Sequence, residues 1–249
     1  MKRTMALSSD DLSLSILYDN LASAPGTTSG WGFSCLVRAG RESILFDTGA
    51  KGSLLMQNMG AMGIPPSSVS LVMLSHFHGD HTGGMDSFLA MNSNVTVYFP
   101  ASFSSGFVER VLASGASAVP VSGPVEITRD IYSTGEMGRE VKEQAMAIDT
   151  DKGLVIVTGC AHPGFMEVIA HVRCISEKNI FMVVGGFHLE SRSRVEIEKV
   201  LGYFHRQDIR YVCPGHCTGP IAEEMFKLEF GCRHIPMGTG RIIRLAEFV

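Results

Sequence analysis

The chain has no run of lysine or arginine, and its 21 basic residues are outnumbered by 25 acidic ones, for a formal net charge of −4. Nothing in that balance attracts a phosphate backbone, so nucleic acid is not an expected partner. No apolar stretch approaches the roughly 20 residues needed to cross a bilayer. The opening segment MKRTMALSSDDLSLSILYDN carries Lys2 and Arg3 but lacks the apolar centre of a secretory leader. A cytoplasmic protein without a membrane partner is expected. The six cysteines (Cys35, Cys160, Cys174, Cys213, Cys217 and Cys232) are too sparse for a disulfide scaffold, which points to reduced thiols, and no CxxC pair suggests a thiolate zinc knuckle. No internal repeat is visible, and no feature indicates an oligomeric state.

The 249 residues, 45% of them hydrophobic, can bury a sizeable core as a single domain over 1–249, built as one body or as two intimately packed halves. LSLSILYDN (12–20) alternates like a half-buried strand. GFSCLVRAG (32–40) and ESILFDTG (42–49) form an expected hairpin about Ala39-Gly40, and VSLVMLSH (69–76) reads as an apolar strand. NVTVYFP (94–100), GLVIVTG (153–159), IFMVVGG (180–186) and IRYVCPG (209–215) read the same way. Helical periodicity places Leu54, Leu55, Met59 and Met62 on one face, before the stop at Pro65-Pro66. It also groups Phe165, Val168, Ile169, Val172 and Ile175, and then Val195, Ile197, Val200, Leu201 and Phe204. Residues 101–145 show no clear period and read as an insertion or a long connection. The class is α/β.

One stretch is chemically dense. LSHFHGDHTGG (74–84) places His76, His78, Asp80 and His81 within six residues, directly after an apolar strand. In extended chain His76 and His78 point to the same side and can converge on one ion, while Gly79 permits a turn that aims Asp80 and His81 at a neighbouring position. Imidazole and carboxylate suit zinc, iron or manganese, and two such cations a few ångströms apart ionise a bridging water near neutral pH. A surface loop has no use for histidines this close, which would repel one another when protonated. His171 and His205 fall inside helical stretches without a partner at ligand spacing and are set aside as structural.

HFHGDH matches the HxHxDH motif of the metallo-β-lactamase superfamily, and the chain resembles that family over nearly its whole length. ILFDTG, LSHFHGDHTGG, VTGCAHPG, GGFHL and PGHCTG together are similar to the branch of dihydropterin ribofuranosyl-aminobenzene 5′-phosphate synthase-like proteins. The resemblance implies a four-layer αββα sandwich with one or two divalent ions, zinc or else iron, manganese or magnesium. It implies metal ligation by His76, His78, Asp80, His81, His162 and His216, and catalytic roles for Asp80 and for Asp47, which orients metal-binding groups by hydrogen bonding. Relatives often carry a bridging Asp after a strand like VIVTG, where this chain has Cys160. Cys160 as thiolate, His162, or His188 in GGFHL can take that place, and the spacing does not choose among them. Cys213 and Cys217 are read mainly as packing.

The implied function is a metal-dependent hydrolase, with a metal-bound hydroxide acting on a small anionic or cyclic substrate that can bear a phosphate. Alternatives are a pterin-pathway synthase or transferase, an iron-dependent redox enzyme, and a non-catalytic metal-stabilised binding domain. The loop APGTTSGWGF (24–33), with the only tryptophan, Trp31, is a candidate pocket wall.

Overall fold

A computed structural model describes residues 6–249; Lys2 and Arg3 lie outside the described residues. The chain forms two compact units, one from Asp10–Ser122 with Met237–Val249, the other from Gly123–Pro236 with the described part of Met1–Ser9. No helix among the described residues is long and apolar enough to cross a membrane.

In the first unit the strands are β1 (Leu12–Tyr18), β2 (Ser34–Ala39), β3 (Glu42–Phe46), β4 (Leu71–Met73), β5 (Thr96–Pro100) and β6 (Ser117–Val121). They form a sheet in that order, with the strand Ile242–Arg244 beyond β1. Pairing is antiparallel up to β3 and parallel from β3 to β6. The expected hairpin is present, and its turn is Gly40-Arg41, since Ala39 pairs with Glu42. Gly40 adopts φ 60°, as a two-residue hairpin turn requires. The helices are α1 (Gly52–Ala61), the single turn α2 (Gly79–Thr82), α3 (Met85–Met91) and α4 (Ser105–Ala113). Leu55 and Met59 of α1, Phe88 of α3 and Phe107 and Val111 of α4 join Val72, Val97 and Phe99 of the sheet in one core.

The second unit holds β7 (Val125–Thr128), β8 (Ile131–Ser133), β9 (Met146–Thr150), β10 (Gly153–Thr158), β11 (Ile180–Gly186) and β12 (Tyr211–Gly215), again in sequential order. Here β7 to β10 are antiparallel and β10 to β12 parallel. Helices α5 (Phe165–Ile175), α6 (Arg194–Arg206) and α7 (Pro220–Phe230) supply the parallel crossovers and the final cover. Phe165, Ile169, Ile197, Phe204, Phe226 and Phe230 pack on Ile156, Val183 and Val212.

Two expectations are corrected. Residues 101–145 are not a connection: they contain α4, β6, β7 and β8. These strands are short and their side chains mostly half-exposed or exposed, with none buried in β7, so they lack the apolar alternation that marks a strand in sequence. Val195 does not share the buried face of α6; it is 60% exposed in the first turn, while Ile197, Leu201 and Phe204 are buried.

Candidate metal centre

The parallel strands place the candidate residues, because each follows a carboxyl end: Asp47 after β3, His76 and His78 after β4, Cys160 and His162 after β10, His188 after β11 and His216 after β12. In α/β sheets these ends are where ligands gather.

In the first unit, Asp47 is fully buried and organises the histidine segment. Its Oδ1 accepts from the Ser75 N–H at 2.7 Å, and its Oδ2 lies 2.7 Å from Ser75 Oγ and 2.7 Å from His81 Nδ1. A carboxylate only accepts, so His81 carries its proton on Nδ1 and its lone pair on Nε2. Ser75 Oγ is also 2.8 Å from His76 Nδ1. With one hydroxyl proton to give, Ser75 donates to Asp47 and accepts from His76, which leaves the His76 lone pair on Nε2. One buried carboxylate thus sets the tautomers of two imidazoles, one directly and one through a hydroxyl.

The nitrogens so prepared face other donors. His76 Nε2 and His78 Nδ1 are 3.1 Å apart, and His81 Nε2 is 3.7 Å from Asp80 Oδ2. The His76 ring lies 4.6 Å from that of His78 and 4.1 Å from that of His81, centroid to centroid. Zinc–nitrogen bonds of about 2.0–2.1 Å set two nitrogens of a tetrahedral ion about 3.3 Å apart, so the His76–His78 separation fits a shared cation. Phe77 points away between them and meets Phe103 edge-on at 4.9 Å. Gly84 lets the segment close on the turn after β3, because a Cβ there would stand 2.1 Å from the Thr48 carbonyl oxygen. His81 O accepts from both the N–H and the hydroxyl of Thr48, at 2.7 and 2.8 Å.

In the second unit, the donor atom of Cys160 lies within 4.8 Å of those of His162, His216, His188 and Cys217. The rings of His162 and His188 are 4.2 Å apart. Glu143, buried, holds this turn: its carboxylate accepts from the N–H groups of Cys160 and Ala161 at 2.9 and 2.8 Å, and of His162 at 2.8 Å. Burial raises the Cys217 thiol, but its hydrogen bonds with Cys160 and His188, together with nearby His216, outweigh burial and hold it well below the ordinary thiol range. The same bond with Cys217 raises His188, against the opposing effect of burial.

Six non-glycine residues among those described have positive φ, and Asp47 (56°), Ala161 (59°), His188 (51°) and His216 (49°) are four of them. Left-handed backbone at such residues costs about 1–3 kcal/mol each, and three of these four, Asp47, His188 and His216, are candidate site residues.

A cavity of about 370 Å³ beside His162 and His188 is lined also by Arg139, Arg192, Glu140 and Glu167. A second, of about 230 Å³, shares His162, His188 and Arg192 and adds Phe165, Met166 and Val200. His171 and His205 lie apart from these groups: the His171 ring is 3.2 Å from the Thr134 carbonyl oxygen, and His205 bonds Glu229 at 2.8 Å. The 24–33 loop is tied to α1, whose Asn58 accepts from the Thr28 N–H and donates to the Thr28 carbonyl, both at 2.9 Å.

Ser75, Glu143 and Cys217 were not singled out as functional by their sequence positions. Ser75 had a usable signal in its place directly before HFHGDH; Glu143, 17 to 19 residues from the N–H groups it binds, had none.

Residues 32–158, just over half of the chain, match the Metallo-beta-lactamase superfamily. A 7,8-dihydropterin-6-methyl-4-(β-D-ribofuranosyl)-aminobenzene-5′-phosphate synthase of Methanocaldococcus jannaschii is 29% identical over 249 residues, covering 82% of this chain and 85% of that protein. Among solved structures, Tm1679, described as a metal-dependent hydrolase of the β-lactamase superfamily, superposes with a TM-score of 0.77 at 28% identity, covering 93% of this chain and 98% of the other. The metallo-β-lactamase fold protein YhfI from Bacillus subtilis, at 14% identity and a TM-score of 0.67 over 93% of this chain and 98% of its own, shares the fold.

Proposed function

Because the chain belongs to the metallo-beta-lactamase superfamily, we propose that it is a metal-dependent hydrolase of small anionic or cyclic molecules whose His76, His78, Asp80 and His81 hold the divalent cation or cations. The observation that carries this reading is Asp47, buried, fixing the tautomer of His81 at 2.7 Å and, through Ser75, that of His76. Orienting partners of this kind accompany metal-bound histidines and raise their basicity. Bound there, a divalent cation would supply Lewis acidity, polarising a substrate oxygen and making water acidic enough to react near neutral pH.

The chain's own residues do the rest. Asp47 keeps two imidazoles aimed, Asp80 adds a negative donor that offsets cation charge, and Glu143 holds the turn that presents Cys160 and His162. His162 and His216 are proposed as further ligands from their places at strand ends. Arg139 and Arg192, lining the cavity beside His162 and His188, suit a phosphate or carboxylate on the substrate. The hollow lined by Phe165, Met166 and Val200 suits an apolar or planar remainder. A cytoplasmic setting goes with this reading.

A second reading, a pterin-pathway synthase, is favoured by the likeness to the Methanocaldococcus jannaschii enzyme. One experiment tests both. Metal content is measured on protein purified without added metal, and the protein is then assayed against phosphodiesters, lactones and thioesters and for formation of the compound in that enzyme's name. Hydrolysis that tracks metal content supports the first reading, and pterin product without hydrolysis supports the second. Protein that neither retains nor takes up a divalent metal overturns both.

A further inference from the structure

Cys160, His188 and Cys217 bring two sulfurs and a ring nitrogen within 4.8 Å of one another. Three separate strand ends deliver them, those of β10, β11 and β12. Both cysteines are buried, and His188 is half-buried. The backbone N–H of His188 donates to Cys217 Sγ at 3.3 Å, and that sulfur lies 3.8 Å from the Cys160 carbonyl oxygen. A Cβ on Gly186 would stand 2.7 Å from the same sulfur, so glycine makes the room it occupies. Apolar packing needs neither an N–H aimed at sulfur nor a histidine held at φ 51° beside it.

We propose that Cys217, with Cys160 and His188, forms a thiolate-bearing metal position that takes a cation of the softness of zinc or iron(II). The inference rests on the reading of the chain as a metal enzyme and adds to it a sulfur donor and the class of metal. Zinc–sulfur bonds of about 2.3 Å place two sulfurs of a tetrahedral ion about 3.8 Å apart, within the observed spread. Binding releases the thiol protons to solvent and forms metal–sulfur bonds, with no change of oxidation state. Thiolates favour zinc and iron(II) over magnesium and manganese, which prefer oxygen.

Cobalt(II) in place of zinc reads sulfur ligation directly, through charge-transfer absorption in the near ultraviolet beside the visible ligand-field bands. The parent protein carries Cys174→Ser and Cys232→Ser, which remove the two exposed thiols. We expect charge-transfer absorption in this parent that excess magnesium leaves unchanged. Cys217→Ser should lose at least about half of it while keeping ligand-field bands, and Cys213→Ser should keep both. Full charge-transfer intensity in Cys217→Ser, or none in the parent, overturns the proposal. Zinc X-ray absorption on the parent needs no folded variant: sulfur among the atoms bound to zinc is expected, and nitrogen and oxygen alone overturn it. Uptake with nitrogen and oxygen ligands only removes this inference and leaves the metal-enzyme reading standing, whereas no uptake of either metal removes both.

Discussion

The His81 ring donates from Nδ1 to Oδ2 of Asp47 at 2.7 Å, and both side chains are fully buried. A buried carboxylate bound to an imidazole orients the ring's other nitrogen without touching whatever that nitrogen meets. Asp47→Asn keeps the shape but offers an amide in place of the second accepting oxygen. Divalent-metal affinity, measured by competition with a chelator, should fall about 10–100-fold. Ser75→Ala removes only the relay to His76 and should cost less. Unchanged affinity in Asp47→Asn would refute the orienting role.

His76→Ala and His78→Ala should each remove most of the bound metal from a protein that stays folded by circular dichroism, and His216→Ala should weaken retention. His171→Ala and His205→Ala should leave the metal-to-protein ratio unchanged, since their rings face Thr134 and Glu229. Equal losses across all five variants would show that the histidines are sorted wrongly.

The three N–H groups gathered by Glu143 give a stability prediction. In Glu143→Gln one oxygen becomes an NH₂ group facing an N–H donor, and a buried donor is left without its acceptor. The urea midpoint should drop by an amount equivalent to about 1–3 kcal/mol. A variant with the parent's midpoint would mean that the turn holds itself.

His234 predicts how acid acts on the fold. Burial first, and then nearby Lys227, depress its pKa, and its Nε2 is buried with no hydrogen-bond partner. The unfolded chain therefore binds the proton more readily than the native one. The stabilisation is full above the unfolded value of about 6.5 and is lost as pH falls through the folded value. Between pH 7 and 5 the parent should lose more stability than His234→Gln in urea melts. An identical pH slope in the two proteins would rule His234 out.

What could be read from the sequence and what could not divide along a physical line. His76, His78, Asp80 and His81 were legible as a candidate cluster because donor side chains one to five residues apart after a strand end need no knowledge of the fold. Asp47 was legible as a polar residue ending an apolar strand. Glu143 and Cys217 act through partners 17 and 57 residues away, and only the sheet order brings those together. The same limit hid β7 and β8, whose residues are stabilised by ladder bonds and not by a continuous apolar face. Helix α7 was missed although Ala222, Phe226 and Phe230 recur every four residues after Pro220 at its first position, a signal that was present.

Phe77 sits between two imidazoles, yet its ring rests in the cluster of Phe103 and Phe107, at 4.9 and 5.8 Å. Sliding this segment by one residue would seat an imidazole among phenyl rings and turn a phenyl ring to the side that His76 and His78 share, so the aromatic socket indexes the chain like a pin in a ratchet. The same coupling makes residue 77 a reporter. A fluorine label on its ring would register any cation taken up between the neighbouring histidines by a change of chemical shift, without altering a single donor atom.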